Sequence, residues 1–225
     1  MLKLGLGLSL SSIRPQGAWT PTDESSLEAW YQNEVGITLN GSDVSQWADS
    51  SSNSYDMVQA TASEQPAYSS GVLTFVSANT ENLQTTGQIS LTGDFTIGIR
   101  VKPTIAAAGT FLADNTTTKE LFKYENATRI KVKIDSANVN LDLDSGTFGD
   151  DYIVITRVSN VLNLWHNGTQ QTGSTPTAAG TSDIDAIGVR ATNVDSFDGE
   201  IEEIQIYSSS SSALTANVNS RLAGI

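Results

Sequence analysis

The 225-residue sequence contains no cysteine and only one histidine, and both scarcities exclude classes of site. Without cysteine, neither a disulfide framework nor a zinc site built from thiolates can form. A Ser-His-Asp system would depend on His166, which has no acidic residue close to it in the sequence. No apolar run approaches the roughly 20 residues that a membrane-spanning helix needs. We therefore expect neither a disulfide-stapled domain nor a membrane-spanning one.

Positive charge is also scarce. Twelve lysines and arginines face 25 aspartates and glutamates, so the formal net charge is −13 at pH 7. Such a surface repels phosphate backbones and anionic lipids, which predicts no nucleic-acid partner and no membrane partner. Cations such as calcium are the expected partners of oxygen-rich acidic loops.

The N-terminal segment has leucine at every second position: Leu4, Leu6, Leu8 and Leu10. Alternation with a period of two is typical of a strand, and the intervening glycines disfavour a helix. We therefore interpret this segment as an extended arm and not as a signal peptide. A turn-rich link follows it, so we predict an N-terminal arm and linker over residues 1–24 and one domain over residues 25–225.

Several later segments alternate in the same way and predict strands. Residues 95–101 alternate cleanly and stop at Pro103. Asn167-Gly168 lies between two alternating segments and is a strong hairpin signal. Apolar residues spaced four apart over residues 214–222 predict one short helix. About ten strands and a terminal helix predict an all-β fold, a two-sheet antiparallel jelly-roll β-sandwich with one short C-terminal helix.

A second hairpin is predicted to turn at Ser136-Ala137. In that register Lys131 faces Asp142. Arg129 then faces Asp144, and opposite charges paired across the open face support the pairing.

The stretch from Phe197 to Tyr207 alternates with one phase slip, at Glu202-Glu203. A β-bulge produces such a slip because it places two residues opposite one. We therefore predict a bulged last strand that closes the sandwich.

Four motifs follow one another along the chain: Trp47-Ala48-Asp49…Asn53, Phe95-Thr96-Ile97, Val161-Leu162-Asn163-Leu164-Trp165-His166-Asn167-Gly168, and the closing strand. In this order they resemble the concanavalin A-like lectin/glucanase jelly rolls, with the laminin G-like domains of bacterial and phage proteins as the nearest branch. The resemblance covers about residues 27–222, although Glu202 stands where aspartate is commoner. It implies the fold, whereas the activity of such proteins lies in their loops.

The resemblance also raises the question of catalysis. Laminarinase-type glucanases of this superfamily carry acids at positions i, i+2 and i+4 of one strand, and a retaining mechanism needs two carboxylates about 5 Å apart. Here the series reads Glu200, Glu202 and Ile204, so the third carboxylate is missing. Glu200, Glu202 and Glu203 are together interpreted as the solvated side of a strand plus one bulge residue. We therefore predict no catalytic residues and no enzyme activity.

Calcium binding is predicted at a polar loop in which oxygen-bearing side chains alternate: Asp49, Ser51 and Asn53. Asp114-Asn115, and Asp183 with Asp185, are further oxygen-rich positions. The alternative is that these residues form turns by bonding their own backbone.

Carbohydrate binding needs aromatic platforms surrounded by amide or carboxylate groups. Trp165 has the opposite parity to Leu164 and faces away from the core together with Asn163. Trp47 and Tyr55 flank the polar loop and complete the candidate set. The alternative is that the tryptophans pack inside the sandwich.

Two functions remain open. The first is a non-enzymatic phage virion structural protein, such as a capsid decoration, fibre or adhesion component. It would be made in the host cytoplasm, form a homo-oligomer, join other virion proteins through the arm and bind host surface glycans. The alternative is a soluble or exported bacterial carbohydrate-binding lectin module that acts outside the cell. A degenerate glucanase-like enzyme ranks third.

Overall fold

A computed structural model describes residues 19–104 and 109–225 of the chain. The predicted assembly arm lies outside the described residues: Leu4, Leu6, Leu8 and Leu10. Within the described residues, no helix has the length and apolar composition that a bilayer span requires.

The described residues form seventeen strands and one α-helix. In chain order these are β1 (Leu27–Tyr31), β2 (Ile37–Asn40), β3 (Asp43–Trp47), β4 (Met57–Val58), β5 (Ala67–Ser69), β6 (Val72–Phe75), β7 (Leu83–Leu91), β8 (Phe95–Pro103), β9 (Gly109–Ala113), β10 (Leu121–Asn126), β11 (Arg129–Ile134), β12 (Ala137–Asp142), β13 (Asp151–Val158), β14 (Val161–His166), β15 (Thr169–Gln171), β16 (Ser182–Ile187), β17 (Gly199–Tyr207) and α1 (Ser212–Leu222).

The strands form two antiparallel layers. The back sheet runs β15–β14–β13–β8–β17, and β1 and β6 both pair with the far edge of β17. The front sheet runs β12–β11–β10–β9–β16–β7–β4–β3–β2. β5 pairs with β3 on one side and with β6 on the other, and so joins the layers at one edge. The predicted all-β sandwich with a C-terminal helix is confirmed.

The main core lies between the two sheets, where inward-facing residues of both layers meet. Phe95 of the back sheet meets Phe122 of the front sheet edge to face, with ring centroids 6.2 Å apart. Arg157 is buried beside them, and its guanidinium lies 4.9 Å from the centroid of the Phe95 ring. Its N–H groups donate to main-chain carbonyls that include those of Leu91 and Gly180, so this cation ties the end of β7 to the connection that precedes β16.

The last strand contains the predicted bulge. Ile201 pairs with Val101 and Glu203 pairs with Arg100, so Glu202 is the extra residue. The interpretation of these acids as a solvated strand side plus one bulge residue is wrong for Glu203, which is 0% exposed and is not the bulge residue. The bulge turns Glu203 onto the outer face of the back sheet, where α1 covers it.

The hairpin of β11 and β12 turns one residue earlier than the sequence suggested, which shifts the pairing of the two strands by two residues. Its turn residues are Asp135 and Ser136, which both have positive φ angles, as a type I′ turn requires. Arg129 therefore pairs with Asp142, at 2.6 Å between Nε and Oδ1, and not with Asp144.

Candidate functional site

Helix α1 lies across the outer face of the back sheet and leaves the strip formed by β14 and β15 open beside it. Leu214, Val218 and Leu222 of the helix pack on Val154 and Tyr207 of the sheet. The helix can approach closely because β8 has a glycine beneath it. A Cβ atom at position 98 would overlap the Val218 side chain.

An open groove of about 470 Å³ runs between α1 and the strip formed by β14 and β15. Trp165, Gly168 and Gln170 line it from the sheet side. Ser212, Ala216 and Asn219 line it from the helix side. Cross-strand pairing explains the sheet wall, because Trp165 lies directly opposite both Val154 and Gln170 and shares their face.

Trp165 is half-buried and forms the aromatic wall of the groove. Asn163 lies two positions before it on the same face, and its Oδ1 accepts a hydrogen bond of 3.3 Å from Gln170 Nε2. The structure therefore brings the predicted pair Trp165 and Asn163 together with two amides that the sequence interpretation missed, Gln170 and Asn219. An aromatic face beside several amides is the usual composition of a site for a polar, ring-shaped ligand.

The other two predicted platform residues lie elsewhere. The prediction for Trp47 is wrong, because this side chain is 0% exposed in the core, 5.7 Å from the Tyr31 ring, and donates its indole N–H to the carbonyl of Gln32. Tyr55 is half-buried against the core, with its ring over Gly87, and does not line the groove. Only Trp165 presents a tryptophan face to this groove.

The Asp49 carboxylate in the polar loop is fully engaged by protein donors. Oδ1 accepts the main-chain N–H groups of Trp30, at 2.9 Å, and of Ser51, at 2.8 Å. Oδ2 accepts the Ser51 hydroxyl at 2.6 Å and the N–H of Tyr55 at 3.1 Å. Both oxygens are therefore used in holding the loop, as the alternative interpretation of these residues as turn formers expects.

The same loop closes the free edge of β1. Asn53 Nδ2 donates to the carbonyls of Glu28, at 2.8 Å, and Leu27, at 3.2 Å. The N–H of Ser50 donates to the carbonyl of Trp30 at 2.8 Å. Side chains and one loop amide thus supply the hydrogen bonds that a further strand would supply, which is one way in which proteins protect a sheet edge.

A different set of carboxylates surrounds a pocket of about 230 Å³ on the front sheet: Asp114, Glu120, Asp135 and Asp183. The hydroxyl of Thr117 lies 2.8 Å from Asp114 Oδ2 and 3.0 Å from Glu120 Oε2. Asp185 is not among the residues that line this pocket and accepts the N–H of Asn115 at 2.6 Å. Asp114 and Asp183, which are 69 residues apart in the sequence, therefore line one acidic pocket.

Burial and hydrogen bonding act in opposite directions on these carboxyls. Burial alone would raise the pKa of Asp114, but hydrogen bonds from Thr116 and Thr117 outweigh it and lower that pKa from its ordinary value of 3.8. Burial raises the pKa of Glu120, and neighbouring carboxylates add to the effect. Burial likewise raises the pKa of Asp185. Across residues 19–104 and 109–225, no three histidine, aspartate or glutamate side chains converge closely enough to hold a metal ion. Calcium stays a prediction.

His166 has an acidic partner that its sequence neighbourhood does not reveal. Its Nε2 lies 3.0 Å from Oδ1 of Asp151, which is buried and also accepts from Asn167 Nδ2 at 2.6 Å. Among the described residues, the hydrogen bonds of His166 include no serine or threonine hydroxyl. The pair fixes the Asn167-Gly168 turn.

The acids of β17 are each associated with a cation. Glu200 Oε2 lies 3.1 Å from Lys102 Nζ, and Glu202 Oε1 lies 3.8 Å from Arg100 Nε. Glu203 forms a two-pronged ion pair with Arg221 of α1, in which Nη2 donates to Oε2 at 2.8 Å. These acids hold the strand to its neighbours and to the helix.

Comparison with known families and structures agrees with this architecture. A family model described as the concanavalin A-like lectin/glucanases superfamily matches residues 77–217, more than half of the chain. No curated protein sequence matches the chain significantly.

Two solved structures illustrate the likeness. A Trypanosoma rangeli sialidase in complex with 2,3-difluoro-KDN has a TM-score of 0.59 and 13% identity; the match covers 90% of this chain but 33% of the sialidase, so the chain spans about a third of that protein. Domain 4 of AbnA, a GH43 extracellular arabinanase from Geobacillus stearothermophilus in complex with arabinotriose, has a TM-score of 0.58 and 15% identity; the match covers 86% of this chain and 98% of that domain. At these identities the likeness shows the fold: a lectin-like jelly roll.

Proposed function

Because this chain belongs to the concanavalin A-like lectin/glucanase superfamily, we propose that it binds a carbohydrate in the groove between α1 and β14–β15. The observation that carries the proposal is the half-buried Trp165 ring in one groove with the amides of Gln170 and Asn219, with Asn163 hydrogen-bonded to Gln170. The apolar face of a sugar ring stacks on an indole, and its hydroxyls bond to amides.

Binding without catalysis is part of the proposal. Within the described residues, no charged side chain lines the groove, so the groove offers no acid or base to a bound sugar. The carboxylates of β17 support the same proposal, because Glu203 is buried in its pair with Arg221. Domain 4 of the arabinanase, in complex with arabinotriose, gives an example of a domain with this fold in a complex with a sugar.

The test is a glycan array followed by calorimetry on the full chain and on two variants. Trp165→Ala should weaken binding of the best array ligand at least tenfold, about 1.4 kcal/mol. Trp19→Ala is the matched control, because Trp19 is a second half-buried tryptophan that packs against α1 but lines a different depression. Circular dichroism checks that both variants fold. Unchanged affinity in Trp165→Ala, or no glycan bound by the unaltered chain, contradicts the proposal.

We propose as a second candidate that the module is displayed on a phage virion, and the observation that favours it is the alternating leucine arm. The arm would join the module to other copies and to capsid or tail proteins. Replacing Leu4, Leu6, Leu8 and Leu10 by serine in the full chain should convert a homo-oligomer into a monomer in light scattering. A chain that is already monomeric before the change contradicts this role. If the module instead acts outside a cell and is not part of a virion, the chain should still bind glycans but should not assemble through the arm.

A further inference from the structure

The groove beside α1 also carries information about which carbohydrates it accepts. Resting on the proposed function, we propose that it selects uncharged, hydroxyl-rich glycans and rejects glycans that carry carboxylate or sulfate groups. The first observation is the lining, which consists of one indole, two amides, hydroxyl groups and small residues and, within the described residues, includes no cation. An acidic sugar would lose water around its charge there without gaining a charged partner.

The hydrogen-bonding pattern of Asn219 gives a second, independent observation. Its Nδ2 donates to the carbonyl of Thr215 at 2.9 Å, and a carbonyl can only accept, so the orientation of the amide is determined. The remaining Oδ1 is buried and has no hydrogen-bond partner among the described residues. Although Oδ1 is covered in this arrangement, uncovering it toward the groove would favour a ligand that donates, such as a hydroxyl or an amide N–H. An ionised carboxylate has no proton to donate.

The charges nearest to the helix reinforce the selection. Arg221 forms an ion pair with Glu203. Arg100 forms one with Asp150 at 2.6 Å and lies 3.8 Å from Glu202. The chain as a whole carries a net charge of −13. An approaching acidic glycan therefore meets repulsion at long range and, among residues 19–104 and 109–225, no available cation at short range.

The experiment compares matched ligands on the full-length chain. An array carries neutral glycans beside their sialylated, sulfated and uronic acid counterparts, and calorimetry then measures the best neutral ligand and its acidic counterpart. The neutral member should bind at least tenfold more tightly. Raising the salt concentration from 0.05 to 0.5 M should narrow this gap by weakening long-range repulsion, but not abolish it.

A gain-of-function variant makes the test specific for the groove. Gln170→Arg adds a cation at an exposed position of the lining and should raise the ratio of acidic to neutral affinity at least fivefold. Asn138→Arg, an exposed position on the front sheet, is the matched control for added charge and should leave the ratio unchanged.

The outcomes separate this inference from the function on which it rests. If acidic glycans bind as tightly as their neutral counterparts and Trp165→Ala weakens both, carbohydrate binding stands and the selectivity is wrong. A ratio that shifts equally in Gln170→Arg and Asn138→Arg also overturns the selectivity at this groove. If no glycan of either class binds, the proposed function fails, and this inference fails with it.

Discussion

The polar loop around Asp49 and the acidic pocket around Glu120 look alike in sequence, but the structure uses them in opposite ways. In the loop, both oxygens of Asp49 accept donors, and the edge of β1 is closed as a result. In the pocket, four carboxylates from three segments of the chain face one cavity, and burial raises the pKa of Glu120. The loop stabilises the fold, whereas the pocket brings like charges together.

This difference teaches that the spacing of oxygen-bearing residues does not predict a cation site. Asp49, Ser51 and Asn53 alternate because their side chains form hydrogen bonds with backbone groups of the loop and of β1. Asp114 and Asp183 share no local spacing and yet line one pocket. Engagement by donors, rather than spacing, separates a structural carboxylate from an open one, and the following predictions test that rule.

The largest effect is expected for Glu203, whose engaged carboxylate is also fully buried in an ion pair. Glu203→Ala leaves the Arg221 guanidinium without its partner and the N–H of Asn33 without its acceptor, and should lower the free energy of unfolding by about 3 kcal/mol. Urea denaturation measures it. Glu202→Ala is the control, because Glu202 faces Arg100 only at 3.8 Å and should cost less than about 1 kcal/mol. Equal costs for the two variants would break the rule.

Asp49→Ala should have the next largest effect. It removes the acceptor of the Trp30 N–H and releases the loop that closes β1, at a cost of about 2 kcal/mol. Asp43→Ala provides a control, because Asp43 accepts only the Ser42 hydroxyl, at 3.0 Å, among its side-chain hydrogen bonds within the described residues. Thermal unfolding compares the two, and a loss as small as that of Asp43→Ala would show that the loop hydrogen bonds contribute little.

The contributions of two carboxyls of the pocket to the stability of the fold should change with pH in opposite directions. The raised pKa of Glu120 means that its contribution to stability is present below its unfolded pKa and is lost as the pH rises through the folded pKa. Glu120→Gln should therefore be more stable than the unaltered chain at pH 7 and equal to it near pH 4. The lowered pKa of Asp114 means the reverse, so Asp114→Asn should cost stability at pH 7 and progressively less below pH 4.

Unfolding curves between pH 3 and pH 7 measure both differences. If the two variants have pH profiles of the same sign, the carboxyls do not have the opposed environments that the structure gives them.

The smallest effect is expected for calcium at the polar loop. Because both Asp49 oxygens already accept hydrogen bonds, 1 mM calcium should leave the cost of Asp49→Ala within about 0.5 kcal/mol of its calcium-free value. The same scans with magnesium control for general ionic effects. A cost that rises by more than that with calcium alone would place the ion at the loop.

Alternation of apolar residues was enough to predict the sandwich and its last strand. The bulge could be located because a slip of one residue moves the following side chains to the opposite face of the sheet. After the slip, the apolar residues accordingly fall at Ile204 and Ile206. The register of the β11–β12 hairpin could not be found in the same way. A slip of two residues keeps every side chain on its face, so only the turn, with positive φ at Asp135 and Ser136, separates the two registers.

The site was predictable only where it lies on one strand. The parity of Trp165 and Asn163 relative to Leu164 places both on the outer face, and the structure has them there. Gln170 could have been placed opposite Trp165 by extending the pairing of the Asn167-Gly168 hairpin one residue pair further from the turn. Asn219 lies on a helix whose position on the sheet depends on the missing side chain at Gly98, and no local pattern carries that information.

The closed edge of β1 limits how copies of this chain could assemble. Hydrogen-bonding groups that already have partners cannot recruit a strand from another molecule, so the back sheet cannot grow across β1 into a continuous intermolecular sheet. Copies crowded together at high local concentration are protected there from fusing sheet to sheet. Any ordered assembly has to use another surface. If the polar loop opened, the exposed edge of β1 would become a template on which strands of other molecules could add and aggregate.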